Sequence, residues 1–87
     1  MFLPSIPTDW ISRVADSGKG IVYQAPGSVG NANMIRIMEP TEKYINGYVR
    51  IYNSYGQPID AMGKVGSRAA THIPLDYPGP WGGWLLL

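Results

Sequence analysis

The chain has 87 residues, enough for one domain with a modest core. Hydrophobic residues make up 45% of it, which excludes a wholly disordered chain, and the absence of cysteine excludes a disulfide framework and a thiolate zinc site. Seven Lys plus Arg against six Asp plus Glu leave a net charge of +1, so any hold on phosphates must come from a local arrangement of cations.

Met1–Pro7 contains no basic residue and no long apolar stretch, and it does not read as a signal peptide. Pro7-Thr8-Asp9 is a helix-start signal, because Thr8 or Asp9 can accept from the first free backbone N–H groups. Trp10, Ile11 and Val14 follow at helical spacing, and Ser17-Gly18 and Gly20 end the segment, so residues 1–18 are expected to be the helical part. From residue 19 the chain turns strand-like. Ile21-Val22-Tyr23 is a short β-prone run, Met34–Met38 a second, and Tyr48–Asn53 the clearest, entered through Asn46-Gly47. Gln57–Asp60 is expected as the returning arm of a hairpin, with Pro58 confining it to an edge. Gly63–Gly66 reads as a turn, Ala69–Leu75 as a last short strand, and residues 76–87 as a Pro/Gly/Trp-rich tail.

The fold expected from these elements is α+β in one domain over residues 1–87. A short N-terminal helix packs on a four- to five-stranded antiparallel sheet spanning residues 19–75. No apolar run approaches the ~18 residues of a membrane span, and the apolar Trp84–Leu87 end is far shorter, so no membrane anchoring is expected.

Period-two alternation sorts the strand residues by face. Val49 and Ile51 point one way, and Tyr48, Arg50 and Tyr52 the other; Ile35 and Ile37 likewise oppose Met34, Arg36 and Met38. With the β-branched residues against the helix, Arg36 and Arg50 share an open face with two tyrosines. Arginine offers a planar fork to phosphate oxygens and tyrosine a ring for stacking, although the same residues also serve as an ordinary solvated sheet face. Lys43, Arg50, Lys64 and Arg68 are opposed only by Asp60, which makes this part of the chain locally basic. His72 is the only histidine and the one side chain suited to passing protons near neutral pH. One histidine, no cysteine and scattered carboxylates give no metal-ligand spacing, and neither a P-loop nor a GxSxG is present.

Gly30-Asn31-Ala32-Asn33, Ile35–Thr41, Asn46–Arg50, Tyr52-Asn53, Gly56-Gln57-Pro58, Gly63-Lys64, Gly66-Ser67-Arg68 and Thr71–Pro74 resemble the C-terminal toxin domains of bacterial polymorphic and contact-dependent inhibition toxins. The subset in question resembles the barnase/EndoU/colicin E5/RelE-like superfamily of small RNases. The resemblance implies metal-independent cleavage of RNA, often tRNA, by attack of a 2′-hydroxyl, with no cofactor. It implies His72 as general acid or base, and Arg36, Arg50, Lys64 and Thr71 as residues acting on the phosphate. Arg68, Tyr48, Tyr52 and Asn53 would bind substrate. It further implies secretion or delivery from the producing bacterium, action in the target-cell cytoplasm, and an acidic immunity protein. Thr71 and His72 point to opposite faces of a regular strand, so both can serve only if the strand ends or bulges there. The alternatives are a non-catalytic β-rich domain contacting protein or nucleic acid through its Arg/Tyr face, and a nuclease-like enzyme acting on DNA or a nucleotide.

Overall fold

Alternation in the central runs builds one antiparallel sheet, which the computed structural model describes within residues 6–81. The strands are β1 (Ile11–Val14), β2 (Gly20–Gln24), β3 (Met34–Met38), β4 (Tyr48–Tyr52), β5 (Pro58–Ile59) and β6 (Ile73–Pro74). A single helical turn, α1 (Arg68–Thr71), stands before β6. The order is a meander, β1-β2-β3-β4-β5. All of β4 pairs with β3 on one edge; on the other, Ile51 and Tyr52 pair with β5 while Tyr48 and Val49 pair with β6. Thus β5 and β6 lie end to end along β4.

An antiparallel sheet forms as expected, but it has six strands instead of four or five and begins at residue 11, and among the described residues no helix stands at the N-terminal end; residues 1–5 and the Trp84–Leu87 end lie outside the described residues. Ile11–Val14 is a strand at the sheet edge, paired with β2 from Ile11↔Gln24 to Val14↔Ile21. The stripe of Trp10, Ile11 and Val14 is too short to hold a helix alone. Its β-branched residues suit a strand, and a tight turn joins it to β2: Gly18 has φ 75° and its N–H donates to Ala15 O at 2.8 Å. The helical segment lies instead near the C-terminal end, where a continuous strand over Ala69–Leu75 was expected. Ser67 caps it, its hydroxyl accepting from Ala70 N at 3.2 Å, and only Ile73–Pro74 remains extended. Pro58 does sit on an edge element, as anticipated.

The two faces carry two separate cores. Ile35, Val49, Ile51, Ile59 and Ile73 are buried together, and the cover expected from a helix comes from Ile6, Trp10, Leu75, Tyr77 and Trp81. On the other face Ala15, Val22, Met34 and Tyr52 are buried with Met38 against them, so the Arg/Tyr face is only partly open. Gly47 fastens the β6 end. It has φ 89°, its carbonyl accepts from Leu75 N at 3.1 Å, and a Cβ there would lie 2.5 Å from Met38 O. Among the described residues no helix is long and apolar enough to cross a membrane.

Candidate functional site

The sheet register sets the charged residues in a row. Arg13 is opposite Val22, Val22 opposite Arg36, and Arg36 directly opposite Arg50. The Val49↔Ile73 pairing, carried one residue further, brings His72 beside Arg50. Alternation therefore placed Arg36, Arg50, Tyr48 and Tyr52 on one face correctly, and the fold adds His72 to it.

His72 is the C-cap residue of α1, at φ −97° and ψ 98°, where the helical turn opens into β6. This junction resolves the alternation problem for Thr71 and His72, because the strand does not extend through both. His72 Nδ1 lies 2.7 Å from Arg68 O. A carbonyl only accepts, so the neutral imidazole carries its proton on Nδ1 and leaves Nε2 as a free acceptor. The His72 pKa is lowered from 6.5, first by desolvation; the Arg68 carbonyl opposes this, and the positive charges of Arg50, Arg68 and Lys43 lower it further.

A cleft of about 430 Å³ opens beside the ring, lined by Thr41, Lys43, Tyr44, Tyr48, Arg68, Ala69 and His72. The 39–47 loop delivers three of these residues, Thr41, Lys43 and Tyr44, and is held by local bonds: Tyr44 N donates to Thr41 Oγ1 at 3.0 Å, and Thr41 N and Gly47 N both donate to Tyr44 O. The Tyr44 ring lies nearly parallel to the imidazole, 14° and 6.2 Å away, and Tyr48 is 5.1 Å from it. Lys43 and Tyr44 were not singled out as site residues from sequence. Their only signal was position, a cation and an aromatic just before the Asn46-Gly47 turn into the clearest strand.

Other expected site residues are placed differently. Thr71 is fully buried; its hydroxyl accepts from Arg50 Nη2 at 3.2 Å and donates to Arg68 O at 3.2 Å, so it positions Arg50 and does not line the cleft. Lys64 does not line the cleft; its backbone closes a turn on Asp60. Asn53 Oδ1 accepts from Tyr55 N and Gln57 N, which commits its side chain to the β4–β5 turn. Tyr52 is buried beneath two guanidinium groups, so its ring is not offered to a base. Among the described residues no three His, Cys, Asp or Glu side chains are grouped as metal ligands would be.

Comparison with known proteins finds no family model, no curated protein and no solved structure that matches this chain.

The pH dependence of stability follows from His72. Its pKa is lower in the folded state than the unfolded 6.5, so between the two values the unfolded chain binds more protons. Stability is expected to be complete above pH ~6.5 and to fall as pH drops through that value. Urea titrations at pH 7.5 and 5.5 check this. His72→Asn should flatten the difference, and an unchanged difference in that variant would assign it to other groups.

Proposed function

We propose that this chain is a metal-independent endoribonuclease of the bacterial toxin type. The observation that carries the reading is the His72 ring, held at Nδ1 by the Arg68 carbonyl with Nε2 unpartnered among the described residues, beside a cleft lined by two cations and two tyrosines. A lowered pKa keeps that nitrogen deprotonated at neutral pH, as a general base requires. In the reaction His72 Nε2 takes the proton of a 2′-hydroxyl as its oxygen bonds to the adjacent phosphorus. The P–O5′ bond breaks, the leaving oxygen takes a proton from water, the protonated His72 gives its proton to the hydroxide so formed, and a 2′,3′-cyclic phosphate and a 5′-hydroxyl result. Arg68 and Lys43 offset the charge growing on the phosphoryl oxygens, while Tyr44 and Tyr48 offer ring faces to an unpaired base.

The test is incubation of purified protein with total tRNA in EDTA, comparing wild type with His72→Ala. Intact RNA in both samples overturns the proposal, and cleavage lost only on chelation reassigns it to a metal enzyme. The toxin part, with delivery to a target-cell cytoplasm and an acidic immunity protein over the cleft, is tested by growth. Cytoplasmic expression without a partner should arrest cells, and His72→Ala should restore colony formation; healthy cells containing folded wild type would count against a toxin.

A second reading, a non-catalytic interaction domain, draws on the edge strand β1. All four of its residues are exposed, and Ile11 and Val14 are 62% and 64% accessible. Exposed strand edges pair readily with other chains.

A further inference from the structure

Arg36 and Arg50 face each other directly across β3 and β4, and like charges in that position destabilise a sheet. No ion pair with a described residue offsets them. Arg36 makes no side-chain hydrogen bond to any described residue, and its contact is with the Tyr52 ring, 5.9 Å from the centroid. Arg50 lies 5.4 Å from the same ring and gives one hydrogen bond, to Thr71. The Nε atoms of both are buried without a hydrogen-bond partner among the described residues. Buried donors in a folded protein are nearly always satisfied by protein, ordered water or an ion, so two adjacent guanidinium groups with no protein acceptor mark a position for an anion, reached through their outer nitrogens. Arg13, further along the row, differs: its guanidinium donates to Gln24 Oε1 at 2.9 Å and to Met34 Sδ. Neither Arg36 nor Arg50 lines the His72 cleft, which has Arg68 and Lys43 as its own cations.

We infer that Arg36 and Arg50, backed by Tyr52, form a second oxyanion site that takes a phosphodiester of a single strand, next to the phosphate held in the His72 cleft. Two guanidinium forks side by side suit a tetrahedral oxyanion, each giving donors to different oxygens. Two strand spacings of about 4.8 Å separate Arg36 from the His72 position, so a strand lying across β4 and β3 would place successive phosphates at the two sites. That the anion belongs to a strand rests on the nuclease reading; that the site binds an oxyanion does not.

The experiment uses inorganic phosphate first. Thermal unfolding in sodium phosphate, against sodium chloride at matched ionic strength, should show a saturable rise on the order of 5 °C for wild type. Arg36→Met should lose most of the saturable rise, what is left being phosphate in the His72 cleft, and His72→Ala should keep it. A wild type without the rise, or an Arg36→Met variant that retains it, overturns the site. Side-chain NMR of the folded wild-type protein supplies a readout independent of any variant: the Nε–H signals of Arg36 and Arg50 should move with phosphate and that of Arg13 should not. Movement of Arg68 alone would place the anion in the cleft and overturn the assignment. A trideoxynucleotide, which has no 2′-hydroxyl to attack, should saturate the same two signals at lower concentration than phosphate. Equal or weaker saturation overturns the strand assignment. Failure to cleave RNA, with the Arg36 and Arg50 signals still responding to phosphate, removes the catalytic reading and leaves this site standing.

Discussion

In EDTA at neutral pH, His72→Ala is expected to cut RNA cleavage by roughly 10²–10⁴-fold, the range for loss of a positioned general base. The fold should survive the change. The ring is half-buried, stacks on Tyr44, lies tilted against Tyr48 and, among the described residues, bonds to a single carbonyl one helical turn back. Circular dichroism and a melting curve on the same sample separate lost chemistry from lost structure. A variant that remains folded and cleaves within a few-fold of wild type would sink the base assignment. His72→Gln adds a second readout, because it keeps polar bulk and removes a titrating nitrogen. The wild-type rate should fall as pH drops below the His72 pKa, which lies under 6.5. A glutamine variant with residual activity should lose that acid limb.

Gly47→Ala is expected to destabilise the protein by about 2–4 kcal/mol, combining the cost of a left-handed backbone for a residue with a side chain and the cost of overpacking. The added Cβ would sit 2.5 Å from Met38 O, a backbone atom that cannot swing aside, and 2.8 Å from Leu75 Cδ1. For a domain of this size that corresponds to a drop of about 10–20 °C in Tm. Gly66→Ala is the matched control. Its Cβ would meet Ala70 and Thr71 side-chain carbons at 3.5 and 3.6 Å, ordinary contact, and Gly66 is not among the positive-φ glycines. It should melt within about 3 °C of wild type. Equal melting of the two variants would refute the packing argument at Gly47. The position matters for function because the Gly47 carbonyl holds Leu75, and with it β6 and His72, against β4.

Strand content and strand faces were legible because they depend on local periodicity. Ile35, Ile37, Val49 and Ile51 alternate with Arg36 and Arg50, and burying one set forces the other to the opposite side whatever the neighbours are. Pro58 announced an edge for an equally local reason, the missing N–H. Trp10–Val14 reads as helical because its three apolar residues suit a helical stripe, yet over so short a span the β-branched Ile11 and Val14 serve a strand equally well. The choice fell to pairing with β2, a partner beyond a turn that the spacing does not encode. The expected helix is absent among the described residues, and Leu75, Tyr77 and Trp81 from the far end of the chain join Ile6 and Trp10 in covering that core.

The His72 site divides along the same line. The residue types, one histidine among basic residues and tyrosines without cysteine, are properties of the chain alone, as is the shared face of Arg36 and Arg50. The company His72 keeps is not. Lys43 and Tyr44 come from a loop almost thirty residues earlier, while Lys64, far nearer in sequence, is turned into a local bend on Asp60. Sequence distance carries no information about which loop folds over a sheet end; strand register does, and register is set by the pairing of whole strands. The same pairing left Arg36 and Arg50 opposed without a counter-charge among the described residues, a feature of the folded chain that no reading of either strand separately contains.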